Sequence, residues 1–491
     1  MSTSDVVRSA IAGVRRELFV GGTWREAASG RTFAVEDPAT GIHLCEVADA
    51  SPDDAVAALD AAASAQPSWA ETAPHERAEI LRRARELLAD RSDTLATLIT
   101  LEMGKSLAES RREVAYGADY FRWFSEEAVR ITGEWKINGA GDGRILTMRQ
   151  PVGACLLITP WNVPLALPAR KIAPAIAAGC TMILKPASLT PLSALALADT
   201  LADAGLPDGV INVIPTSTSG ATTQPLFHDP RLRKVSFTGS TGVGKVLIEN
   251  AAANVLRTSM ELGGNAPFIV CADADIDAAV RGAVTAKMRN LGEACIAANR
   301  FLVHADVAEE FTEKLAAQIG SMIVGRGLDP GVEVGPLIDA AARDKVAALV
   351  NDAVHAGARV VVGGTAPAGP GYFYPPTVLT DVPPSARLCH EEIFGPVAPI
   401  AIFSTDAEMI RAANDTEFGL VSYLFTRDLG RAVWLSERLE SGMVGLNRGY
   451  VSDAGAPFGG IKQSGLGREG GSIGIDEYLN VKYVALDVTP G

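Results

Sequence analysis

Short apolar segments alternate with helical segments along most of this 491-residue chain, and this alternation constrains the fold more than any other feature. It begins at the apolar segment 152–159 and continues to about Gly445. Strands that alternate with helices form parallel sheets whose faces are covered by the helices. The sequence therefore predicts an α/β protein, and its length favours two or three domains.

The individual elements follow from local composition. A Gly-Gly pair inside 18–24 predicts a β-hairpin. The Ala-, Leu- and Glu-rich segment 52–133 predicts helices, with Gly117 as the main interruption. Further strands are expected over 152–159, 181–185, 210–214, 234–238, 268–270 and 300–303, and further helices over 170–178, 193–204, 243–253 and 276–290.

Two segments outside the alternation predict a β-ribbon. Residues 134–138 and 144–149 flank the sequence Gly-Ala-Gly-Asp-Gly, which is typical of a flexible turn. The segment 478–488 alternates like a strand, and we expect it to pair with the ribbon. A ribbon alone is marginally stable in water and exposes an edge, so we expect it to pack against another copy in a homodimer or homotetramer.

Composition excludes several classes of function. The chain carries 44 basic and 58 acidic residues, a net charge of −14, which argues against a nucleic-acid partner. Its six cysteines are scattered without a Cys-x-x-Cys pair, so we expect neither a metal site nor a disulfide framework. We expect no signal peptide at residues 1–5 and no membrane span, because the apolar runs are too short. A cytoplasmic protein is the expectation.

Three motifs carry the residues expected to perform chemistry. Cys295 lies among small and polar residues, which is poor core material. Glu261 precedes a Gly-Gly pair, and a carboxylate can activate a thiol or a hydrolytic water. Asn162 lies in Pro-Trp-Asn-Val-Pro, where two prolines fix the backbone. A rigid amide of this kind can donate a hydrogen bond to an oxyanion.

These motifs resemble those of the aldehyde dehydrogenase superfamily. So do the segments Phe-Thr-Gly-Ser-Thr-Gly-Val-Gly and Glu-Glu-Ile-Phe-Gly-Pro further along the chain, and the resemblance covers almost all of it. It implies an aldehyde-dehydrogenase-like α/β fold with a Rossmann-type cofactor domain, an α/β catalytic domain and a small β oligomerisation ribbon. The implied boundaries are 1–130 and 151–262 for the cofactor domain, 263–463 for the catalytic domain, and 131–150 and 478–491 for the ribbon and tail.

The resemblance also implies catalytic roles. Cys295 is expected to be the nucleophile and Glu261 the general base, while Asn162 and the Cys295 backbone N–H form the oxyanion hole. The chain departs from the usual pattern at Glu293, where related proteins carry Gln.

The expected cofactor site is distributed over several segments. Glycines between a strand and a helix let a pyrophosphate approach the N–H groups of the helix N-terminus. Ser188 stands where many NAD-preferring members carry a glutamate that repels a 2′-phosphate, so NADP is the expected cofactor and NAD the alternative. The expected contacts are Thr159, Pro160, Trp161, Lys185, Ala187, Ser188, Gly239, Ser240, Gly244, Leu262, Glu392 and Phe394.

Within the superfamily the chain is most similar to succinate-semialdehyde dehydrogenases. Members of that subgroup hold the distal carboxylate with two arginines and a serine, and the matching positions here are Arg170, Arg289 and Ser452. Bidentate arginine suits a carboxylate. Glutarate semialdehyde, which is longer by one methylene, and a broad range of aldehydes are the alternatives, because one methylene contributes only about 1–3 kcal/mol to discrimination.

Two further classes of function are alternative interpretations. Residues 239–245 read Gly-x-x-x-x-Gly-Lys, most of a nucleotide-hydrolase P-loop, but Val246 replaces the hydroxyl residue that would bind magnesium. A non-catalytic binding protein is the other, and the presence of Cys295, Glu261 and Asn162 together argues against it.

Overall fold

Two large, mostly parallel sheets form the framework of the fold, as the alternation predicts. The structure is a computed structural model that describes Val7 and residues 10–488. The N-terminal residues 1–5, where no signal peptide is expected, and the last three residues of the predicted tail lie outside the described residues. The α/β fold class is confirmed, while the division into domains stays a prediction.

The first sheet has the strand order of a dinucleotide-binding fold. Its parallel centre runs Ile211–Val213, Met182–Lys185, Ala154–Ile158, Leu232–Thr238 and Arg257–Glu261. The order of strands along the chain reverses between the third and fourth of these. Ligands of such sheets bind at this switch point, beyond the carboxyl ends of the strands. Antiparallel strands complete the edges: Thr23–Arg25 and Leu18–Val20 on one side, Gly465–Leu466 on the other.

Helices cover both faces of this sheet. The strand Ala154–Ile158 is buried along its whole length, which accounts for its continuous apolar sequence. In the chain, the antiparallel pair Thr32–Asp37 and Ile42–Ala48 lies between the edge strand Thr23–Arg25 and the helix Pro52–Glu71. The helices are Pro52–Glu71, Pro74–Asp90, Ser92–Met103, Leu107–Glu127, Ala128–Arg130 (3-10), Ala166–Ala178, Leu192–Asp203, Ser219–His228 and Thr241–Ala252.

The interruption predicted at Gly117 is wrong. Helix Leu107–Glu127 runs through this residue, and its neighbouring helices are separated instead at Thr72, Arg91 and Gly104. A Cβ at Gly117 would lie 2.6 Å from Leu165 Cδ2. The glycine therefore serves close packing of two helices, and this packing offsets its low helix propensity.

The second sheet is also parallel at its centre. Its strands, in order, are Arg359–Val362, Thr377–Thr380, Val397–Phe403, Ala298–His304, Ala266–Val270, Val421–Phe425 and Met443–Leu446. A short pair, Phe418–Gly419 with Ile461–Lys462, lies beside it. The accompanying helices are Ile276–Met288, Arg289–Gly292 (3-10), Ala305–Val307 (3-10), Ala308–Gly320, Ala340–His355, Arg387–Cys389 (3-10), Asp406–Asn414, Leu429–Ser436 and Ser472–Tyr478 (3-10).

The ribbon is a three-stranded antiparallel sheet, and the predicted pairing with the tail is confirmed. Gly143–Pro151 lies between Trp135–Ile137 and Leu479–Asp487. Several large apolar side chains of this sheet are exposed, namely Trp135, Ile137, Val481 and Tyr483.

Among the described residues, no helix has the length and apolar character needed to span a membrane. The same residues hold no cluster of three or more His, Cys, Asp or Glu arranged to bind a metal ion.

Candidate active site

The candidate site lies where the chain crosses from the first sheet to the second. Glu261 ends the last parallel strand of the first sheet, and the second sheet begins at Ala266. A Cβ at Gly264 would lie 2.2 Å from the carbonyl oxygen of Cys295, and one at Gly263 would lie 3.1 Å from Glu392 Oε2. The Gly-Gly pair therefore lets the cysteine loop and Glu392 approach the crossing strand closely.

A strained turn carries Cys295. The helix predicted to reach residue 290 ends at Met288, because Asn290 and Leu291 adopt left-handed φ values of 52° and 58°. Such conformations cost about 1–3 kcal/mol each and persist where surrounding contacts hold them. Here Asn290 Nδ2 donates to the carbonyl oxygens of Glu293 at 2.8 Å and Asn162 at 3.0 Å.

The Cys295 side chain is half-buried and lines an inner cavity of about 80 Å³. Burial raises the pKa of the thiol to about 12, and the nearby charges of Glu392 and Glu261 raise it further, whereas Arg170 and the Cys295 backbone N–H favour the thiolate. The thiol is therefore neutral near pH 7 and needs a base to become a nucleophile.

Glu261 is suited to act as a general base towards a hydrolytic water. Its carboxyl is buried, and its Oε2 has no hydrogen-bond partner among the described residues. Burial raises its pKa well above the ordinary value, and the charge of Glu469 adds to this, while Lys171 and Arg170 act in the opposite direction. A carboxylate with a raised pKa is the stronger proton acceptor once it is ionised.

Asn162 is held at both its backbone and its side chain. Its Nδ2 donates to the Glu293 carbonyl oxygen at 2.9 Å, which leaves the second amide hydrogen for another acceptor. Its own carbonyl oxygen accepts from Lys105 Nζ at 2.8 Å. Lys105 in turn donates to Glu113 Oε2 at 2.6 Å, and both side chains are almost fully buried. The amide is thus preorganised, as an oxyanion donor must be.

Sequence reasoning missed Lys105 and Glu113. In the sequence they lie eight residues apart in a charged helical region, where they look like solvated side chains. Glu113 Oε1 also accepts from Leu165 N at 2.8 Å and Ala166 N at 3.3 Å, at the start of helix Ala166–Ala178. No local pattern in the sequence indicates these long-range contacts.

Glu293, the departure from the usual glutamine, is fully buried. Its Oε1 accepts from Ile338 N at 3.1 Å, and its Oε2 has no partner among the described residues. Burial raises its pKa well above the ordinary value. A neutral carboxyl at this position accepts the same backbone hydrogen bond that a glutamine oxygen would accept.

The expected cofactor residues gather at the switch point of the first sheet. Thr159, Pro160 and Trp161 follow the strand Ala154–Ile158, and Ile158 lies in register with Lys185. The hydroxyl groups of Thr159 and Thr238 are buried, and the described residues offer them no partner. Unpartnered hydroxyls at this edge fit a polar ligand.

Lys185 brings a positive charge to the same edge. Its Nζ donates to the neutral Ser219 hydroxyl at 2.7 Å, and burial lowers its pKa to about 8. Ala187 and Ser188, two and three residues further on, are half-buried. A buried ammonium that finds no carboxylate among the described residues fits an anionic or hydroxyl-rich ligand such as the ribose of NAD(P).

The glycine motif forms the start of a helix rather than a phosphate loop of the hydrolase type. Ser240 caps helix Thr241–Ala252 and is exposed, so the helix N-terminus is open to an anion. A Cβ at Gly239 would lie 2.4 Å from the Phe237 ring, and one at Gly244 would lie 2.5 Å from Leu262. The P-loop alternative is wrong, because a P-loop needs a loop between its two glycines, whereas here the helix already begins at Thr241, between Gly239 and Gly244.

Glu392 and Phe394 complete the expected cofactor residues. Glu392 Oε1 accepts from Gly264 N at 3.1 Å, and burial raises its pKa to about 7. The ring of Phe394 packs edge-on against Trp161, with 5.4 Å between ring centroids. Phe394 therefore lies beside the segment 159–161, and Glu392 lies beside the Gly-Gly pair that connects the two sheets.

The three expected substrate residues line the same inner cavity as Cys295 and Asn162. Arg170 is buried: its Nη2 donates to Tyr116 Oη at 2.7 Å, and its Nη1 lies 3.4 Å from Glu469 Oε2. Its Nε is buried and finds no partner among the described residues. Arg289 lies over the Tyr450 ring at 3.7 Å, and its Nε is 3.9 Å from Glu109 Oε2. Sequence reasoning missed Tyr116 and Tyr450, although Tyr450 stands only two residues before Ser452.

Comparison with known proteins agrees with this geometry. A succinate-semialdehyde dehydrogenase of Paenarthrobacter nicotinovorans is 59% identical over 90% of this chain and 98% of the relative. A glutarate-semialdehyde dehydrogenase of Pseudomonas aeruginosa is 48% identical over 96% of this chain and 98% of the relative.

The crystal structure of an E. coli NADP-dependent enzyme superposes with a TM-score of 0.96 at 46% identity, covering 99% of this chain and all of that one. The sequence model of the aldehyde dehydrogenase family matches residues 24–484. This chain therefore belongs to the aldehyde dehydrogenase family.

Proposed function

We propose that the protein oxidises succinate semialdehyde to succinate with reduction of NADP. The observation that carries this proposal is the inner cavity, in which two arginines and a serine share the lining with Cys295 and Asn162. A guanidinium in the lining of this cavity favours a substrate with a carboxylate. The chain's net charge of −14 would otherwise repel an anion, so a local positive charge is required.

Each residue of the site has a defined role in the proposed reaction. The Cys295 thiol loses its proton to solvent water, and the thiolate adds to the aldehyde carbon. Asn162 Nδ2 and the Cys295 N–H stabilise the oxyanion of the thiohemiacetal. When bound, the nicotinamide cofactor supplies the hydride acceptor. Glu261 then removes a proton from the water that hydrolyses the Cys295 thioester, and the thiol is regenerated. Arg289, Arg170 and Ser452 hold the distal carboxylate throughout.

NADP is the proposed cofactor, with NAD as the alternative. Lys185 supplies a buried positive charge, and Ser188 adds a hydroxyl in place of a repelling carboxylate. Thr159, Pro160, Trp161, Ala187, Gly239, Ser240, Gly244 and Leu262 would line the rest of the site, and Glu392 and Phe394 would hold and position the nicotinamide end.

Glutarate semialdehyde is the second candidate substrate, because a relative 48% identical to this chain carries that name. The two substrates differ by one methylene, which is worth only about 1–3 kcal/mol in a pocket. A direct comparison of kcat/KM decides between them.

The test is steady-state reduction of NADP with succinate semialdehyde, glutarate semialdehyde and butyraldehyde, the last being an uncharged aldehyde of the same chain length. We expect succinate semialdehyde to have the highest kcat/KM and Cys295→Ala to abolish turnover while nucleotide binding survives. Equal kcat/KM for succinate semialdehyde and butyraldehyde would contradict a carboxylate site, and oxidation by Cys295→Ala would contradict the assignment of the nucleophile.

We also propose that the ribbon assembles the enzyme into a homodimer or homotetramer. Trp135 and Ile137 of its edge strand and Val481 and Tyr483 of the tail are all exposed by 60% or more. Burial of such side chains against a second copy would stabilise the assembly. Sedimentation of the wild-type protein beside a Trp135→Ser, Val481→Ser variant tests this. The cytoplasmic location stays a prediction.

A further inference from the structure

The inner cavity opens into a second, larger cavity of about 960 Å³. Six residues line both cavities and form the neck between them: Glu109, Tyr116, Thr285, Arg289, Tyr450 and Ser452. The neck therefore joins the larger cavity to the inner cavity that Cys295 lines.

Two groups compete for the Arg289 guanidinium within the neck. Tyr450 presents its ring face to the guanidinium at 3.7 Å from the ring centroid. The Glu109 carboxylate is also near, with its Oε2 3.9 Å from Arg289 Nε, at the limit of an ion pair. Glu109 is already engaged by Arg112, with which it forms a closer pair.

The two partners have opposite consequences for a substrate. A guanidinium stacked on a ring keeps its N–H groups free at its edge, where a carboxylate binds in the plane. A guanidinium paired with Glu109 would have its charge neutralised and its N–H groups occupied. The ring is neutral in this setting, since burial raises the pKa of Tyr450 to about 12.

We propose that Tyr450 is a specificity-determining residue, which positions Arg289 for the substrate carboxylate by holding the guanidinium on its ring and away from Glu109. This inference rests on the proposed function, since it assigns Arg289 to the distal carboxylate. It adds that selectivity depends on an aromatic ring as well as on the groups assigned to the carboxylate.

The experiment compares Tyr450→Leu and Tyr450→Phe with the wild-type enzyme, using succinate semialdehyde and butyraldehyde. We expect Tyr450→Leu to raise KM for succinate semialdehyde about tenfold, the order of a partly desolvated cation–π contact, with little change in kcat or in the butyraldehyde parameters. Tyr450→Phe retains the ring and loses only the hydroxyl that interacts with Ser452, so it should keep most of the selectivity that Tyr450→Leu loses. A matched control is Trp434→Leu, which removes an exposed stack with Arg438 (4.3 Å) remote from the neck and should change neither substrate.

A second variant separates positioning from simple loss of packing. In Tyr450→Leu, Glu109→Gln the competing carboxylate is gone, so we expect part of the lost selectivity for succinate semialdehyde to return. No recovery, or equal losses with both aldehydes in Tyr450→Leu, would overturn the inference. A wild-type enzyme that does not prefer succinate semialdehyde to butyraldehyde would instead overturn the proposed function, so the two failures are distinguishable.

Discussion

Replacement of Lys105 by methionine tests how the oxyanion loop is held. Lys105 and Glu113 are 2% and 4% exposed, and their charged atoms are 2.6 Å apart. Lys105→Met leaves the Glu113 carboxylate buried, with the N–H groups of Leu165 and Ala166 as its remaining partners in the described part of the chain. Removal of one partner from a buried ion pair costs about 3–5 kcal/mol, and we expect a loss of that size in the free energy of unfolding.

The same change removes one of the two hydrogen bonds to the Asn162 carbonyl, while that from Asn290 is retained. Complete loss of an oxyanion donor lowers kcat by about 100- to 1000-fold, so we expect displacement of Asn162 to lower kcat by less than about 100-fold. Urea unfolding measures the stability, and NADP reduction under saturating substrate measures kcat.

A matched control is available on the surface. Lys314 pairs with Asp277 at 2.6 Å and with Glu310 at 2.7 Å, but all three side chains are more than 40% exposed. Lys314→Met should cost no more than about 1 kcal/mol. A double variant Lys105→Met, Glu113→Gln should lose much less than the sum of its single losses, because each single change already leaves the other charge unpaired. Equal stability of the Lys105→Met and Lys314→Met variants would refute the reasoning.

Three further outcomes are expected. Burial raises the pKa of Glu293, so the folded protein keeps this carboxyl protonated at pH values where the unfolded chain ionises it. The free-energy cost of burying Glu293 therefore grows as the pH rises above the ordinary glutamate pKa. Glu293→Gln should raise Tm relative to wild type more at pH 8 than at pH 5, and a pH-independent difference would contradict this. Because Glu392 has a pKa of about 7, the enzyme should bind NADPH several-fold more weakly at pH 6 than at pH 8. A Glu392→Gln variant titrated by NADPH fluorescence should lose this pH dependence. If the affinity of the wild-type enzyme for NADPH does not decrease when the pH is lowered below 7, the ribose role of Glu392 is contradicted. Ser188→Glu should shift the ratio of kcat/KM values from NADP towards NAD, and an unchanged ratio would refute the cofactor argument.

The elements of the two sheets could be predicted from sequence because their signals are local. Continuous apolar strands such as Ala154–Ile158 and glycine-bounded turns need no knowledge of their neighbours. Gly117 shows the limit of this reasoning, since its helix continues through a residue of low helix propensity in order to pack against Leu165. Helix Ile276–Met288 shows another, because the left-handed turn at Asn290 is held by contacts with Asn162, far away in the sequence.

The candidate site divides in the same way. Cys295, Glu261 and Asn162 stand in short motifs that are visible in the sequence, whereas the residues that hold them do not. The roles of Lys105 and Tyr450 depend on contacts with Glu113 and Arg289 respectively, and these contacts are seen only in the three-dimensional structure. Resemblance to a family indicates which residues react, and the three-dimensional structure is needed to show how this chain positions them.

The most direct test of the account is to identify the covalent intermediate. Mixing the Glu261→Gln variant with NADP and succinate semialdehyde, followed by acid quenching and peptide mass analysis, measures where the substrate becomes attached. Since Glu261 is assigned to hydrolysis of the thioester, we expect a burst of NADPH and one succinyl group per chain on the peptide that contains Cys295. A burst of NADPH with the succinyl group on another residue, or no burst and no adduct, would contradict the account.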